Sequence, residues 1–471
     1  MKNKQRMPMG NAFKINIRAF KLLYERYPQM MLSRLFTEIW DSLTPYVGIY
    51  LSALVIGELA GGRDVKRLKF LVLVTLTSAV VIGVGSALLS RWMNTQASGR
   101  WQKFQRIAAE KLLDMDFVEI DNPKTHELLS TIRQNEQMSG WGLFMVLSSY
   151  PKLVSSVFTL IGGIVLTFSL FTSKVPESAG SYTILNSPLL ILLVAAVMLA
   201  VTYTAPILSN KAKDYFASNS EHGKLGNRLF GFFGFLGFKT ELAEDIRMYR
   251  QDKICDRHNS DKEAPFNSKG FFAKLARGPM GLYNAASAGV SVIFTGVVYV
   301  FVCMKALAGA FGLGAVTQYV ASVTKFASGV SAFISVIGTM RTNGSFLATV
   351  FEFLDIPNNM YQGSLTVEKR WDRNYEVEFR NVSFKYPGSE NYSLRNVNIK
   401  FKVGERLAVV GMNGSGKTTF IKLLCRLYDP TEGEILLNGI NIKKYNYLDY
   451  MMIFSVVFQD FKLFALKLGE N

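Results

Sequence analysis

Hydrophobic positions run through the first three-quarters of this chain in long unbroken blocks and then give way to short alternations. A helix rises about 1.5 Å per residue, so ~20 mostly apolar residues cross the hydrocarbon of a bilayer. Residues 70–90, 153–171, 187–209 and 280–304 reach about that length without one charge. Two further stretches come close: 43–59 meets a charge only at Glu58, and 314–340 is interrupted by Lys325. The pattern predicts six spans within a membrane domain over 42–355, behind a polar leading segment over 1–41.

The polar text between the blocks is uneven in length. Segments such as "SGRWQKFQRIAAEKLLDMDF" and "KTELAEDIRMYRQDKICDRHN" carry apolar residues at helical spacing and predict helices that continue beyond the bilayer. In "DNPKTHELLSTIR" (121–133), Pro123 suits a first helical position, which predicts a short helix at a loop tip. "GFFGFLGF" (231–238) fits a flexible or closely packed helix junction. After Phe353 the text passes through "LDIPNNMYQGS", a linker placed at 356–374, into the alternating "YEVEFRNVSFKY" and "NVNIKFKV". Strands are expected there, followed by a short apolar strand in "RLAVVG", all within a second domain over 375–471. The pattern therefore predicts an all-α six-helix transmembrane domain followed by an α/β domain.

Composition agrees with a membrane part: 49% of residues are hydrophobic and 19% charged, too apolar for an ordinary soluble enzyme. The net charge of +17 has a topological explanation. Lys and Arg number eight in 1–41, seven in 91–140 and thirteen in 211–277, against four in 60–69, one in 172–187 and none in 306–312. Because basic residues are retained on the cytoplasmic face, the expected topology is a multi-pass cell-membrane protein with both termini cytoplasmic. No basic and aromatic recognition pattern accompanies the charge, so no nucleic-acid partner is expected. Cys255, Cys303 and Cys425 are far apart and lack metal-like spacing, as do His126, His222 and His258.

The chemistry lies in "GMNGSGKTT", residues 411–419: Gly411, Met412, Asn413, Gly414, Ser415, Gly416, Lys417, Thr418 and Thr419. Gly411, Gly416, Lys417 and Thr418 meet the spacing G-x-x-x-x-G-K-[ST]. Glycines let successive N–H groups turn inward to make an anion nest at a helix start, where the helix dipole favours phosphate. Lys417 can bridge β- and γ-phosphates, and the Thr418 hydroxyl can sit on Mg²⁺.

With "VSFKYPG" (382–388), "GMNGSGKTTFIKLLCRLYDPTEGEILLNG" (411–439) and "FSVVFQDFKLF" (454–464), the chain resembles the first half of an ATP-binding cassette domain, and its layout resembles an exporter-type half-transporter. The resemblance makes the fold class an all-α six-helix transmembrane domain followed by an incomplete α/β P-loop nucleotide-binding domain, and it implies ATP and Mg²⁺ as cofactors. It gives Tyr386 the role of stacking on adenine, and Gln459 a place beside Thr418 in the Mg²⁺ shell. The tips near 121–133 and 239–250 look like the family's coupling helices. It also implies a second half-transporter as partner, membrane lipid as surroundings, and an exported solute of unknown identity. After "LKLGEN" the family's pattern would continue with a signature motif, an acidic strand bearing the general base and a switch histidine. Those residues are not in this sequence, so the chain as it stands is expected to bind ATP without hydrolysing it, and no catalytic residue is assigned. The alternatives are a membrane-tethered ATP-binding regulator and another membrane-anchored P-loop enzyme such as a kinase. Six spans with long inside extensions argue against a mere anchor, for which one span would suffice.

Overall fold

The structure is a computed structural model, and it describes residues 7–236, 239–368, 375–457, 466, 467 and 469. The chain divides into two compact units. The first holds residues up to 107 together with 128–352, and the second holds 108–127 together with 353 onward.

The first unit opens with α1 (Met9–Arg26), which buries Ala12, Asn16, Ala19 and Leu23 at the three- and four-residue spacing of one helical face. Then come α2 (Pro28–Ala60), α3 (Val65–Ala97) and α4 (Arg100–Asp114). Beyond the tip lie α6 (Pro123–Ser139) and α7 (Leu143–Thr172), and then α8 (Pro188–Ser218) and α9 (Ser220–Phe235). The short helices α10 (Ala243–Met248), α11 (Gln251–Ser260) and α12 (Phe271–Arg277) lead to α13 (Pro279–Leu307) and α14 (Leu313–Leu354).

Among the described residues, six helical segments are long and apolar enough to cross a membrane: Pro28–Ala60, Val65–Asp114, Leu143–Thr172, Pro188–Ser218, Phe271–Leu307 and Leu313–Leu354. Pro28, Pro188 and Pro279 open their helices at the one position where a missing N–H costs nothing. Small residues set the crossings. A Cβ on Gly163 of α7 would stand 2.7 Å from Phe326 of α14, so these backbones approach as only glycine permits. Leu170, Val298, Phe301, Val302, Tyr319 and Val323 form the core where α7, α13 and α14 meet.

The helix expected within 121–133 is present, with Pro123 as its first residue as the sequence predicts, and it is longer than expected. Asn122 accepts from the Lys124 amide at 3.0 Å and starts α6, which runs on for 17 residues because Leu129, Ile132 and Asn135 stay buried on one side. Glu58, counted as a charge at the edge of a span, is 9% exposed. Its Oε1 accepts from the Asp64 amide at 3.1 Å and its Oε2 faces Arg67 Nε at 3.4 Å, so it fastens the turn between α2 and α3.

The second unit combines a four-stranded antiparallel sheet of order β2-β1-β3-β4 with the loop tip α5 (Phe117–Ile120). Its strands are β1 (Glu376–Phe384), β2 (Leu394–Lys402), β3 (Glu432–Leu437) and β4 (Ile440–Asn441). Val377 and Phe379 face inward by alternation, and Ile435 and Leu437 meet them from β3. The register slips between Phe379 and Val382, where Asn381 takes a left-handed φ of 50°. That bulge restores the inward phase for Val382 and Phe384. Within the stretch expected as linker, Ser364 and Leu365 donate to Lys444 O at 3.0 Å each, and Leu365 pairs with Tyr445 in a parallel bridge. Asp116 Oδ2 accepts from the Met360 amide at 2.7 Å, so the same segment also holds the tip's approach.

"RLAVV" is a correction. It forms no strand among the described residues, and Leu407 and Val410 are 46% and 88% exposed. A short apolar strand is stable only when neighbours satisfy its backbone on both sides. The four strands pair with one another, and none of them pairs with 406–410.

Candidate nucleotide site

The loop 411–415 is exposed and leads into α15 (Lys417–Leu424). Gly414 and Gly416 take φ of 83° and 92°, a region that side chains other than glycine's enter only under strain. Space forbids a side chain at Gly416 as well, since a Cβ there would lie 2.7 Å from both Leu394 Cδ2 and Ser393 O. The first intrahelical bond runs from the Phe420 amide to Gly416 O at 2.9 Å, so the helix itself does not use the amides of its opening turn.

Lys417 Nζ folds back over the loop and donates to Gly411 O and Met412 O, each at 2.8 Å. The cation is thus held above the loop it follows in sequence. Thr418 is exposed at the helix start, where its hydroxyl is accessible. Thr419 is buried and shares a 3.0 Å hydrogen bond with the Tyr386 hydroxyl. Met412, Asn413 and Ser415 supply the turn, with the Ser415 amide donating to Met412 O at 3.2 Å. Gln459 lies outside the described residues.

Tyr386 is half-buried, its ring edge-on to Phe384 at 5.0 Å and to Tyr428 at 5.4 Å. Lys422, one turn along α15, places Nζ over three rings: Phe117 at 5.3 Å, and Tyr386 and Tyr428 at 5.6 Å each. Asp121, just past α5, accepts from the Tyr428 hydroxyl and lies 3.8 Å from Lys422 Nζ. Burial, helped by the Asp121 carboxylate, pushes the Tyr428 hydroxyl above the ordinary tyrosine range, so it stays a donor. Phe117, Asp121, Lys422 and Tyr428 were not singled out from the sequence. Their contacts join positions some 300 residues apart, for which a single sequence carries no signal.

A positive-φ glycine loop, a lysine over that loop and a hydroxyl at a helix start form a donor set that fits a nucleotide triphosphate with Mg²⁺. Comparison with known proteins agrees. Residues 394–471 match the family model described as ABC transporter. The chain carries an ABC transporter domain fused behind six membrane-length helices. It is similar to the subtilin transport ATP-binding protein SpaT of Bacillus subtilis, with 25% identity over 463 residues that cover 96% of this chain and 70% of that protein. It is also 32% identical over 176 residues to an ATP-dependent lipid A-core flippase of Wigglesworthia glossinidia brevipalpis, covering 33% of this chain and 30% of the relative. The corresponding flippase of Escherichia coli K12 is 37% identical over 123 residues, covering 26% of this chain and 21% of the relative. The ABC transporter domain supports nucleotide binding and ATPase chemistry in general, and the apolar helices with their transporter relatives make this a multi-pass membrane protein.

Proposed function

We propose that this chain is a subunit of an ATP-driven exporter that works as a pair of half-transporters and moves an amphipathic solute out of the cytoplasm by alternating access. The observation that carries this reading is the glycine-and-lysine loop of the ABC transporter domain, 411–419, in one chain with six membrane-length helices. Bound ATP with Mg²⁺ would supply the free energy that drives closure of the paired domains. The chain's own residues hold the nucleotide. The amides around Gly414 and Gly416 would donate to phosphate oxygens, Lys417 would exchange its two loop carbonyls for phosphate oxygens, and Thr418 and Gln459 would hold Mg²⁺. Tyr386, braced by Phe384 and by its bond to Thr419, presents its ring to adenine.

Support for a cargo path comes from a pocket of about 660 Å³ in the first unit, among Pro45, Ile49, Tyr299, Val320 and Lys325. That volume suits a drug-sized amphiphile. Lys325 is its one charged lining residue, and a cation inside a span is kept where it faces a wet cavity or a ligand anion. An amphipathic solute with an acidic group is the matching cargo.

The test is nucleotide binding. A fluorescent ATP analogue with Mg²⁺ should bind the purified chain, and Lys417→Ala should weaken it at least about tenfold, since hydrogen bonds to charged groups contribute ~1.5–3 kcal/mol. Binding unchanged in that variant would refute the assignment of the loop.

A further inference from the structure

Arg426, just past the end of α15, takes a left-handed φ of 54° at a position where a helix usually stops on glycine. Its side chain holds it in that strained conformation, for it is 0% exposed and fully partnered through its Nη atoms. Nη1 donates to Tyr445 O at 3.3 Å, Nη2 donates to Tyr361 O, and Nε lies 3.5 Å from the Asp429 carboxylate. A buried cation parted from such partners is strongly disfavoured, so Tyr361 and the end of α15 move together.

Tyr361 belongs to a strap, residues 356–365, that follows α14 and lies wholly within the second unit. One half of the strap is fastened to the sheet domain. The Tyr447 amide donates to Gln362 O at 2.9 Å and the Asn446 amide to Leu365 O at 2.7 Å, beside the two bonds to Lys444 O. Gly363, with φ of 65°, runs so close that a Cβ would stand 2.0 Å from Tyr445 O. The other half is fastened to the end of α4. Lys111 Nζ donates to Ile356 O at 2.6 Å, Asn358 Nδ2 to Asp114 O at 2.5 Å, and the Asp116 amide to Asn358 Oδ1 at 3.2 Å. The Met360 amide completes the set on the Asp116 carboxylate. Two membrane-length segments lead by covalent continuity to these bonds, Val65–Asp114 through α4 and Leu313–Leu354 through the strap.

We propose that Asn358 and Arg426 are positioning residues of the nucleotide cycle: through the strap they make α15 and the end of α4 respond to bound nucleotide as one body. The helix α15 is a rod of about 12 Å, with Lys417 at one end and Arg426 just past the other. Once Lys417 exchanges its loop carbonyls for phosphate oxygens, the rod is anchored at its start, and Arg426 and the strap are anchored with it. The end of α4 then opens less often, because the strap holds it by four hydrogen bonds. This route is separate from the tie through Asp121, Tyr428 and Lys422, which reaches the residues after α5 directly. The strap's role rests on the nucleotide site proposed above and is independent of the cargo.

Amide exchange tests it. The purified full chain is given Mg²⁺ and a fluorescent non-hydrolysable ATP analogue, so that binding and exchange are read on the same sample. Binding should slow exchange at least about threefold both in 112–116 and in 360–365, whose amides include those of Asp116, Met360, Ser364 and Leu365. Arg426→Met should remove the response in both stretches. Asn358→Ala, at an exposed position, serves if the buried variant fails to fold. It should bind the analogue as before and keep the response in 360–365, yet cut that in 112–116 to about half or less, since two of the four bonds are gone. A merely structural strap would exchange faster in both variants with and without nucleotide and keep the nucleotide-dependent difference, which would overturn the proposal. So would a response in 112–116 that survives Asn358→Ala undiminished or is abolished by Asp121→Ala instead. An analogue that does not bind the unaltered chain would refute the nucleotide site itself, whereas binding with no response in the strap would overturn the strap's role alone.

Discussion

Glu136, near the end of α6 and outside the membrane-spanning helices, has its carboxyl pushed up to about 7 by burial, with Arg133 opposing the shift. A raised carboxyl pKa means that the folded chain prefers the protonated form. The resulting stabilisation is complete below the unfolded value of 4.5 and is lost as the pH climbs through about 7. Amide exchange in α6, corrected for intrinsic rates, should therefore be better protected at pH 5 than at pH 8, and Glu136→Gln should remove the difference. At Lys325 the expected effect is on cargo. Lys325→Ala in the assembled transporter should alter the uptake of acidic amphiphiles into inverted vesicles while leaving basal ATP turnover within about twofold, because the residue lies in a pocket of the first unit and not at the nucleotide loop. Transport of every acidic and neutral solute at the unaltered rate would leave Lys325 a purely structural cation.

Among the elements, α5 is the most informative. It has four residues, far too few to be stable by itself, and it stays helical because Phe117 and Val118 pack on the core of the sheet. Asp121 then ties it to α15 through Tyr428 and Lys422. The same Lys422 lies over the Tyr386 ring, so the adenine-facing aromatic proposed above and the loop tip share one cation. Asp121→Ala should change ATP affinity by less than about fivefold, since a partly exposed ion pair contributes ~0–1 kcal/mol. It should also raise amide exchange over 115–121, and in the assembled transporter it should lower transport per ATP hydrolysed. Retained protection of 115–121 in that variant would show that the tip is held by Phe117 alone.

At the scale of the whole molecule the prediction concerns the side of the membrane that each loop faces. The 28-to-5 distribution of Lys and Arg argues that 1–41 and 211–277 are cytoplasmic. Cys255, Cys303 and Cys425 are free thiols, so they can be replaced without breaking a disulfide. On that background a cysteine at Ser178, exposed between α7 and α8, should react with an impermeant maleimide added outside. One at Ser260, exposed at the end of α11, should not react. Gly180, otherwise an obvious labelling position, has φ of 59° and would be strained by any substitution. The reverse labelling pattern would overturn the proposed orientation.

The amino-acid sequence alone determined the six apolar segments, because the hydrocarbon thickness demands unbroken apolar runs that no other structure needs. It also determined the strands β1 and β2, through an alternation that the bulge at Asn381 interrupts in β1, and the loop 411–419, whose glycine and lysine spacing is set by local backbone geometry. All three signals are confined to a window of some twenty residues or fewer. Tertiary structure decided what those windows do not contain. "RLAVV" has the composition of a strand, yet no neighbour pairs with it among the described residues. The short helix α5 ahead of the expected one was not announced, because Phe117 finds a distant core that sequence spacing cannot show. Asn16 looks like an ordinary polar residue of an amphipathic helix until α14 supplies the carbonyl that turns its amide and leaves Oδ1 facing no donor. In each case the deciding partner lies far away in sequence, and a buried hydrogen bond or packed ring acquires its meaning only once folding has brought the two together.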